Sequence, residues 1–364
     1  MKITGKLIKY VRVVFSLALV VLAVFCLFTR LPQVLGDQDN AALAAAAFTL
    51  TDGKYRIEAG SEPLQESTVE QTEPSKLPAA NMLEVSDIPR NKSDYYDSFA
   101  NHDGEAVYDV AEKTITADGT LVNNCYIKNK TGLGLDFNSI LNTPLTFNVK
   151  KNASSPQVLI YHTHTSEGYL DEDVDYFYES YYSRTQNNAF NVVAVGEKIK
   201  QMLEKNGINT LHDKTVHDST YDGSYDRSVQ TVQSDMNENK EIKVVLDIHR
   251  DALGTDECKV KPVFEFEGKK GAQIMILAGC DPDNERNFAN WQNNLSFALK
   301  IQNTAEEMYP GFTRPISFDY FAYNEYVCDG SLLIEIGSDA NSIDEVEYSG
   351  ELLGEVLSRV LLST

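Results

Sequence analysis

The chain has 364 residues, 24% of them charged and 42% hydrophobic, with a formal net charge of −22. Residues 1–30 carry Lys2, Lys6, Lys9, Arg12 and Arg30 and no acid, so the remaining chain holds 27 basic and 54 acidic residues. A surface that negative repels phosphate backbones and argues against nucleic-acid binding, and five cysteines without a CxxC pair exclude a disulfide-stapled mini-protein and a zinc finger.

The first element in the chain is the apolar run VRVVFSLALVVLAVFCLF at residues 11–28. At about 1.5 Å per residue it spans roughly 27 Å, the thickness of a bilayer's apolar core. Arg12 can snorkel to the headgroups. The preceding basic residues predict a cytoplasmic N-terminus, which places everything after the run outside the cell membrane. Residues 1–30 are therefore expected to be a cytoplasmic tip and single-pass anchor, preferred over a cleaved signal peptide. Residues 31–80, with the segment EPLQESTVEQTEPSKLPAAN, are polar and poor in large apolar side chains and are expected to form a tether. A short helix is expected around residues 41–50. Residues 81–364 form the extracytoplasmic domain, with its core at about 120–362; the Tyr-rich stretch to residue 120 gives no clear pattern.

From Val122 onward strand and helix signals alternate. Val158–Tyr161 is a short apolar run expected to be a buried strand. Val192, Val195, Ile199, Met202 and Leu203 form one helical stripe over 191–206, closed by Gly207. Ile208–Leu211 predicts a strand, Arg227–Glu238 a weaker helix, and KVVLDI at 243–248 another buried strand. Residues 259–267 and 272–278 flank GKKG and predict a hairpin. Phe288–Tyr309 predicts a helix, Ser331–Ile336 a strand, and Ser342 with Glu345 a capping box opening a helix over 343–362. This alternation predicts an α/β fold, a layered and mostly parallel sheet flanked by helices, in which active residues gather beyond the carboxyl ends of strands.

Three of those ends carry chemistry. His162-Thr163-His164, with Glu167 three residues on, follows the first strand. His249-Arg250-Asp251 closes KVVLDI, and Glu335 lies near the end of LLIEIG. A catalytic zinc takes three protein ligands, commonly two His and one Glu, and leaves a position open for water. The ion lowers the pKa of that water from about 15.7 toward 7, and a separate carboxylate must carry its proton to the leaving amine. His162, His164, Glu167 and His249 compete for three metal positions, with the fourth as an orienting group; strand alternation predicts His162 and His164 on one side. Glu335 is the expected base. Arg250 either pairs with a buried acid or binds a substrate carboxylate. Trp291 and Asn294 share a helix face, and Asn294 is a candidate for substrate contact. His102, His212 and His217 lie in no such setting. The cysteines at 125, 258, 280 and 328 allow three pairings or none.

LIYHTHTSEGY (159–169), NVVAVGEKI (191–199), VVLDIHRDA (244–252) and LLIEIGSDAN (332–341), extended upstream by NKTGL (129–133) and PQVL (156–159), resemble the stage II sporulation protein P family over about residues 120–360. The resemblance implies an amidase-like fold and a zinc-dependent peptidoglycan hydrolase. It would cleave the N-acetylmuramoyl-L-alanine amide, and with it stem-peptide crosslinks, during engulfment in endospore formation, beside sporulation proteins D and M. In the related amidases the metal ligands are His, Glu and His, and a late Glu after a hydrophobic strand is the base. The resemblance matches His249 and Glu335 to the last His and the base, and either His162 or His164 to the first His. The middle Glu comes from the start of the first helix in those relatives; here Asn187, Asn188 and Asn191 stand there and Glu167 is the nearest substitute. Asn324-Glu325 also departs from the Asn-Gln expected at that point. The competing readings are a catalytically silent wall-binding scaffold and a zinc peptidase or deacetylase with another extracellular substrate.

Overall fold

The computed structural model describes residue 102 and residues 104–363. The expected membrane anchor, the tether and the helix around 41–50 lie outside the described residues. Among the described residues, no helix is long and apolar enough to cross a membrane.

In chain order the elements are β1 (Val107–Lys113), β2 (Thr120–Val122), β3 (Cys125–Asn129), α1 (Phe137–Leu141), β4 (Val158–Tyr161), β5 (Tyr176–Tyr178), α2 (Val192–Lys205), β6 (Thr210–His212), α3 (Ser224–Glu238), β7 (Val244–Asp251), β8 (Gly254–Thr255), β9 (Cys258–Phe266), β10 (Lys269–Ala272), β11 (Ile274–Gly279), α4 (Trp291–Met308), β12 (Ile316–Asp319), β13 (Gly330–Ser338) and α5 (Ile343–Leu362). An eight-stranded sheet runs β2-β3-β12-β11-β13-β7-β4-β6, and a smaller one runs β10-β9-β1-β5 with β8 on β9. The large sheet is mixed. The β6/β4/β7/β13 block is parallel, β11 is antiparallel to β13, and β12 and β3 are parallel to β11.

The apolar stripe of α2 packs as its spacing predicts, with Val192, Val195, Ile199 and Leu203 buried. Asn191 caps its start through Val193 N, and Gly207, at φ +86°, takes the left-handed turn past its end. The Ser342–Glu345 capping box at the start of α5 is present in both directions. One expectation is corrected. The GKKG turn does not join two long strands: β9 turns at Glu267-Gly268 into the short β10, and the chain then leaves that sheet to form β11 in the large one. Residues before Val122 are also structured, since β1 is an interior strand of the small sheet, between β9 and β5.

Strand alternation divides the core in two. Val158, Ile160, Val244, Leu246, Ile248, Leu332, Ile334 and Ile336 face the large core with α2, α4 and α5. Leu159, Tyr161 and Val245 face Val232 of α3 on the other side. Each fully buried Leu, Ile or Val contributes on the order of 1.5–3 kcal/mol, so the register of these strands is strongly held.

His162 continues the large-core face of β4. Its Nδ1 lies 2.9 Å from Ile248 O, and its Nε2 lies 2.9 Å from His212 Nε2. Glu197 of α2 contacts His212 Nδ1 at 3.1 Å, and burial pushes the His162 imidazole down to about 3. The pair fits under α2 because residue 196 is glycine: a Cβ there would lie 2.7 Å from His212 Nε2 and 2.9 Å from the His162 ring. Gly196→Ala should therefore destabilise the protein by about 1–3 kcal/mol. Gly134→Ala, with nothing within 4 Å of the added Cβ, should be close to neutral; urea unfolding midpoints of the two variants provide the comparison.

Candidate active site

The residues that sequence placed at three strand ends meet on the α3 side of the large sheet. β13 pairs with β7 in parallel so that Glu335 and His249 are direct neighbours, and neighbouring strands lie about 4.8 Å apart. Asp247 and His249, two apart on β7, share that face. The chain leaves β4 after Tyr161 and turns, carrying His164 across to the same face, where its ring meets that of His249 at 5.4 Å, nearly perpendicular. His162 and His164 are therefore not on one side as alternation predicts, because the strand ends before alternation can act on both. Tyr221 stacks on His164 with centroids 4.6 Å apart, and Tyr225 of α3 meets it edge-on at 5.7 Å.

Glu167 reaches the cluster from the loop after His164. Its carbonyl accepts Val192 N–H, the first residue of α2, so it sits against the helix start although it precedes that helix by 25 residues in the chain. Glu167 Oε2 lies 3.3 Å from His249 Nδ1 and accepts Arg250 N–H at 3.2 Å. On the other side, His249 Nε2 lies 2.9 Å from Asp247 Oδ1. Asp247 is itself fixed by Thr163, whose N–H and Oγ1 donate to its two oxygens at 2.8 and 2.7 Å.

The electrostatics follow from burial. Desolvation alone would neutralise His249, but Asp247 and Glu167 on either side hold it well above the usual imidazole range. Burial would raise Glu167; His249 and Arg250 outweigh it and bring the carboxyl down to about 2. His164, with no such partner, is pushed down by burial to about 4, and its Nδ1 is buried without a hydrogen-bond partner. Glu335 goes the other way. Burial raises it, His249 opposes, the charges of Glu167 and Asp251 add to the rise, and the balance is about 8. Its Oε2 is also unpartnered.

The donor types here, two imidazoles and a carboxylate on one face, are those that zinc takes. His164 offers a lone imidazole nitrogen, Glu167 and His249 already face each other, Asp247 orients His249 from behind, and a proton on His249 fills the place a cation would take. Among the described residues, the one set of His, Cys, Asp or Glu side chains whose ligand atoms all lie within 4.8 Å of one another is a separate acidic group, Glu112, Asp173 and Glu345. Two lysines already occupy that group: Lys261 and Lys270 each contact all three carboxylates. It ties the small sheet to the start of α5.

Two expected substrate contacts are corrected. Arg250 alternates away from His249 and is buried on the opposite face; its Nη2 donates to Ser183 O and Oγ (2.9 and 3.1 Å) and its Nε to Gly168 O (3.3 Å). It braces the loop that carries Glu167. Asn294 is fully buried, and its Nδ2 donates to Glu325 O and Ser331 O, both at 2.7 Å, which pins the segment before β13. Sequence reasoning missed Asp247, Tyr221 and Tyr225. Asp247 was within reach, since it lies two residues from His249 on a strand, whereas the tyrosines come from a loop and helix with no local signal. Among the described residues all four cysteines are free.

Two outcomes follow from these contacts. In metal-free protein the raised Glu335 favours folding while the carboxyl stays protonated, and that contribution is lost as pH rises from its unfolded value near 4.5 through about 8. Metal-free Glu335→Gln should thus gain stability over wild type progressively between pH 5 and 8, with little difference at pH 4; denaturant unfolding across pH measures it, and parallel curves would refute the buried placement. Arg250→Lys should lower stability and metal retention, because one ammonium cannot serve two carbonyls at this geometry, and should leave KM for substrate nearly unchanged in the metal-loaded fraction. A raised KM with full metal content would restore the substrate-binding role.

Comparison with known proteins agrees with the sequence resemblance. The family model for stage II sporulation protein P matches residues 50–358. Stage II sporulation protein P of Bacillus subtilis (strain 168) is 28% identical over 220 residues, 56% of this chain and 50% of that protein, so the chain spans about half the length of this curated relative. Among solved structures, the CwlD amidase of Clostridioides difficile, in complex with the GerS lipoprotein, is 13% identical with a TM-score of 0.34, covering 57% of this chain and all of that one. The N-acetylmuramoyl-L-alanine amidase AmiC2 of Nostoc punctiforme is 10% identical with a TM-score of 0.32, covering 58% and 98%. On the extent of the family match, the chain belongs to the stage II sporulation protein P family.

Proposed function

We propose that this protein is a zinc-dependent peptidoglycan hydrolase that cleaves the N-acetylmuramoyl-L-alanine amide, with endopeptidase cleavage of stem-peptide crosslinks as a second activity. The observation that carries the reading is the placement of Glu335 beside His249, with Glu167 and His164 closing on the same point. Family membership supports a role in cell-wall remodelling during sporulation. The apolar run at 11–28 supports attachment to the membrane by a single span, with the catalytic domain in the septal space and sporulation proteins D and M as neighbours.

His164, Glu167 and His249 would hold the ion. A bound zinc supplies a Lewis acid that polarises the scissile carbonyl and makes water nucleophilic near neutral pH. Asp247, 2.9 Å from His249 Nε2, sets a negative charge behind the ring and leaves Nδ1 facing Glu167. Beside a divalent charge Glu335 ionises, and its unpartnered Oε2 is free to take the water proton and deliver it to the departing amine nitrogen. Tyr221 and Tyr225 shield His164 from water and keep the dielectric low around these charges.

The test is digestion of purified sacculi by the zinc-loaded protein, with products mapped by mass spectrometry. New alanine amines and free muramoyl carboxylates are expected. Glu335→Gln should retain zinc and lose about 10²–10⁴-fold in kcat, whereas His164→Ala and His249→Ala should lose zinc itself. Full activity in Glu335→Gln favours a scaffold role, and release of acetate without alanine amines favours a deacetylase; either result overturns the proposal.

A further inference from the structure

α3 packs on the β4 side of the catalytic face, and farther along the same sheet side chains of β13, β11, β12 and β3 line a cavity. Register aligns Glu335 with Met275, and Leu277 with Ser317, which aligns in turn with Lys128. These side chains floor a cavity of about 420 Å³ that begins at Glu335, is walled by Phe321 and Tyr323, and ends at Lys128, Lys130 and Arg314. Tyr323 holds its place there in the left-handed region, φ +39°, a conformation costly for a bulky residue and concentrated at functional sites.

The charges in this cavity are unevenly satisfied. Lys128 pairs with Asp118 at 2.5 Å. Arg314 is buried, and its Nη2 donates to Asp251 at 2.8 Å, but its Nε and Nη1 are shielded from water and have no partner. Lys130 is exposed and donates only to Ser317 Oγ, at 3.0 Å. A guanidinium with unpaired buried donors is costly to leave so, and its planar fork matches a carboxylate better than any other common group.

We propose that this cavity is the subsite for a free carboxylate on the peptide side of the scissile amide, held by Arg314 and Lys130. The inference rests on the hydrolase reading above, since it places a peptide stem along the groove that leads to Glu335. The muramoyl carboxyl is consumed in the amide itself, so the anion must come from the peptide. Arg314 and Lys130 thereby fill the role that sequence assigned to Arg250.

The test is calorimetric binding of a muramoyl-L-alanyl-γ-D-glutamyl peptide to the full-length metal-free protein, beside the same compound with its carboxylates converted to carboxamides. Omitting zinc removes metal–carboxylate coordination as a source of preference. The carboxylate form should bind about tenfold tighter or better, with the preference shrinking as salt rises. Lys130→Ala should reduce the preference several-fold, and Arg314→Gln with Lys130→Ala should abolish it. Lys130 is exposed, so Lys130→Ala keeps the test decisive even if Arg314→Gln unfolds. Equal affinity for the two forms, no binding of either, or an unchanged preference in Lys130→Ala overturns the subsite. Cleavage of sacculi with no carboxylate preference removes the subsite and leaves the hydrolase; a carboxylate preference in a protein that cuts no wall amide keeps the subsite and removes the hydrolase.

Discussion

The alignment of Glu335 with His249 across the β13/β7 ladder is the constraint on which the site depends. The two side chains share one face, His249 buried and Glu335 half-buried, and the ladder is fixed by apolar residues on the other. Leu332, Ile334 and Ile336 alternate with Leu333 and Glu335, and Ile248 alternates with Asp247 and His249, so the core that stabilises the fold also sets the spacing of the catalytic groups. A slip of one residue in either strand would turn an acid into the main core and a leucine or isoleucine into the site. Register is thus held by apolar burial, and the chemistry inherits it.

Buried charge shapes the cluster's electrostatics. Asp247, Glu167 and Arg250 come together with His249 in a region where an unpaired ion is expensive. Without a metal, the arrangement is balanced by protonating His249 and keeping Glu335 neutral at about 8. A divalent cation between His164, Glu167 and His249 would replace the proton and ionise Glu335 in the same event. On the proposed reading, Glu335 would become competent as a base only with the cation in place. On the far side of the sheet, His162, His212 and Glu197 form a second polar chain whose partners are all internal.

Much of the architecture was legible in the sequence because it follows period and caps. The α2 stripe, the Ser342–Glu345 box and the short apolar strands carry their own local signals, and β4, β7 and β13 appear within a residue or a few of where periodicity put them. The mixed character of the sheet was not legible, since antiparallel β11 differs from a parallel strand only in where its neighbours run. The site was half legible. His249 and Glu335 end buried strands and so had to lie on a rim. The choice between His162 and His164 turned on where β4 stops, a boundary set by tertiary packing. The misreading of Arg250 was avoidable: on a strand it must face away from His249, and a long cation aimed away from the site finds loop carbonyls. Glu167 reaches the start of α2 only because Arg250 braces the intervening loop, a contact that no local pattern announces.

The acidic substrate proposed above would meet an acidic chain. Long-range attraction is unavailable to a chain with a net charge of −22, so recognition has to come from cations whose local partners leave capacity unused. Most cations near the site are spent. Arg184 is held by Asp218, with Glu167 at 3.7 Å; Arg250 is held by carbonyls; Lys261 and Lys270 are held by three carboxylates. Arg314 and Lys130 are different, and both line the cavity that also contains Glu335. Binding there is short-ranged and salt-sensitive, and it gains only once a substrate is already seated. A groove of this kind, if it serves the proposed hydrolysis, is selective at short range and contributes nothing to attraction at a distance.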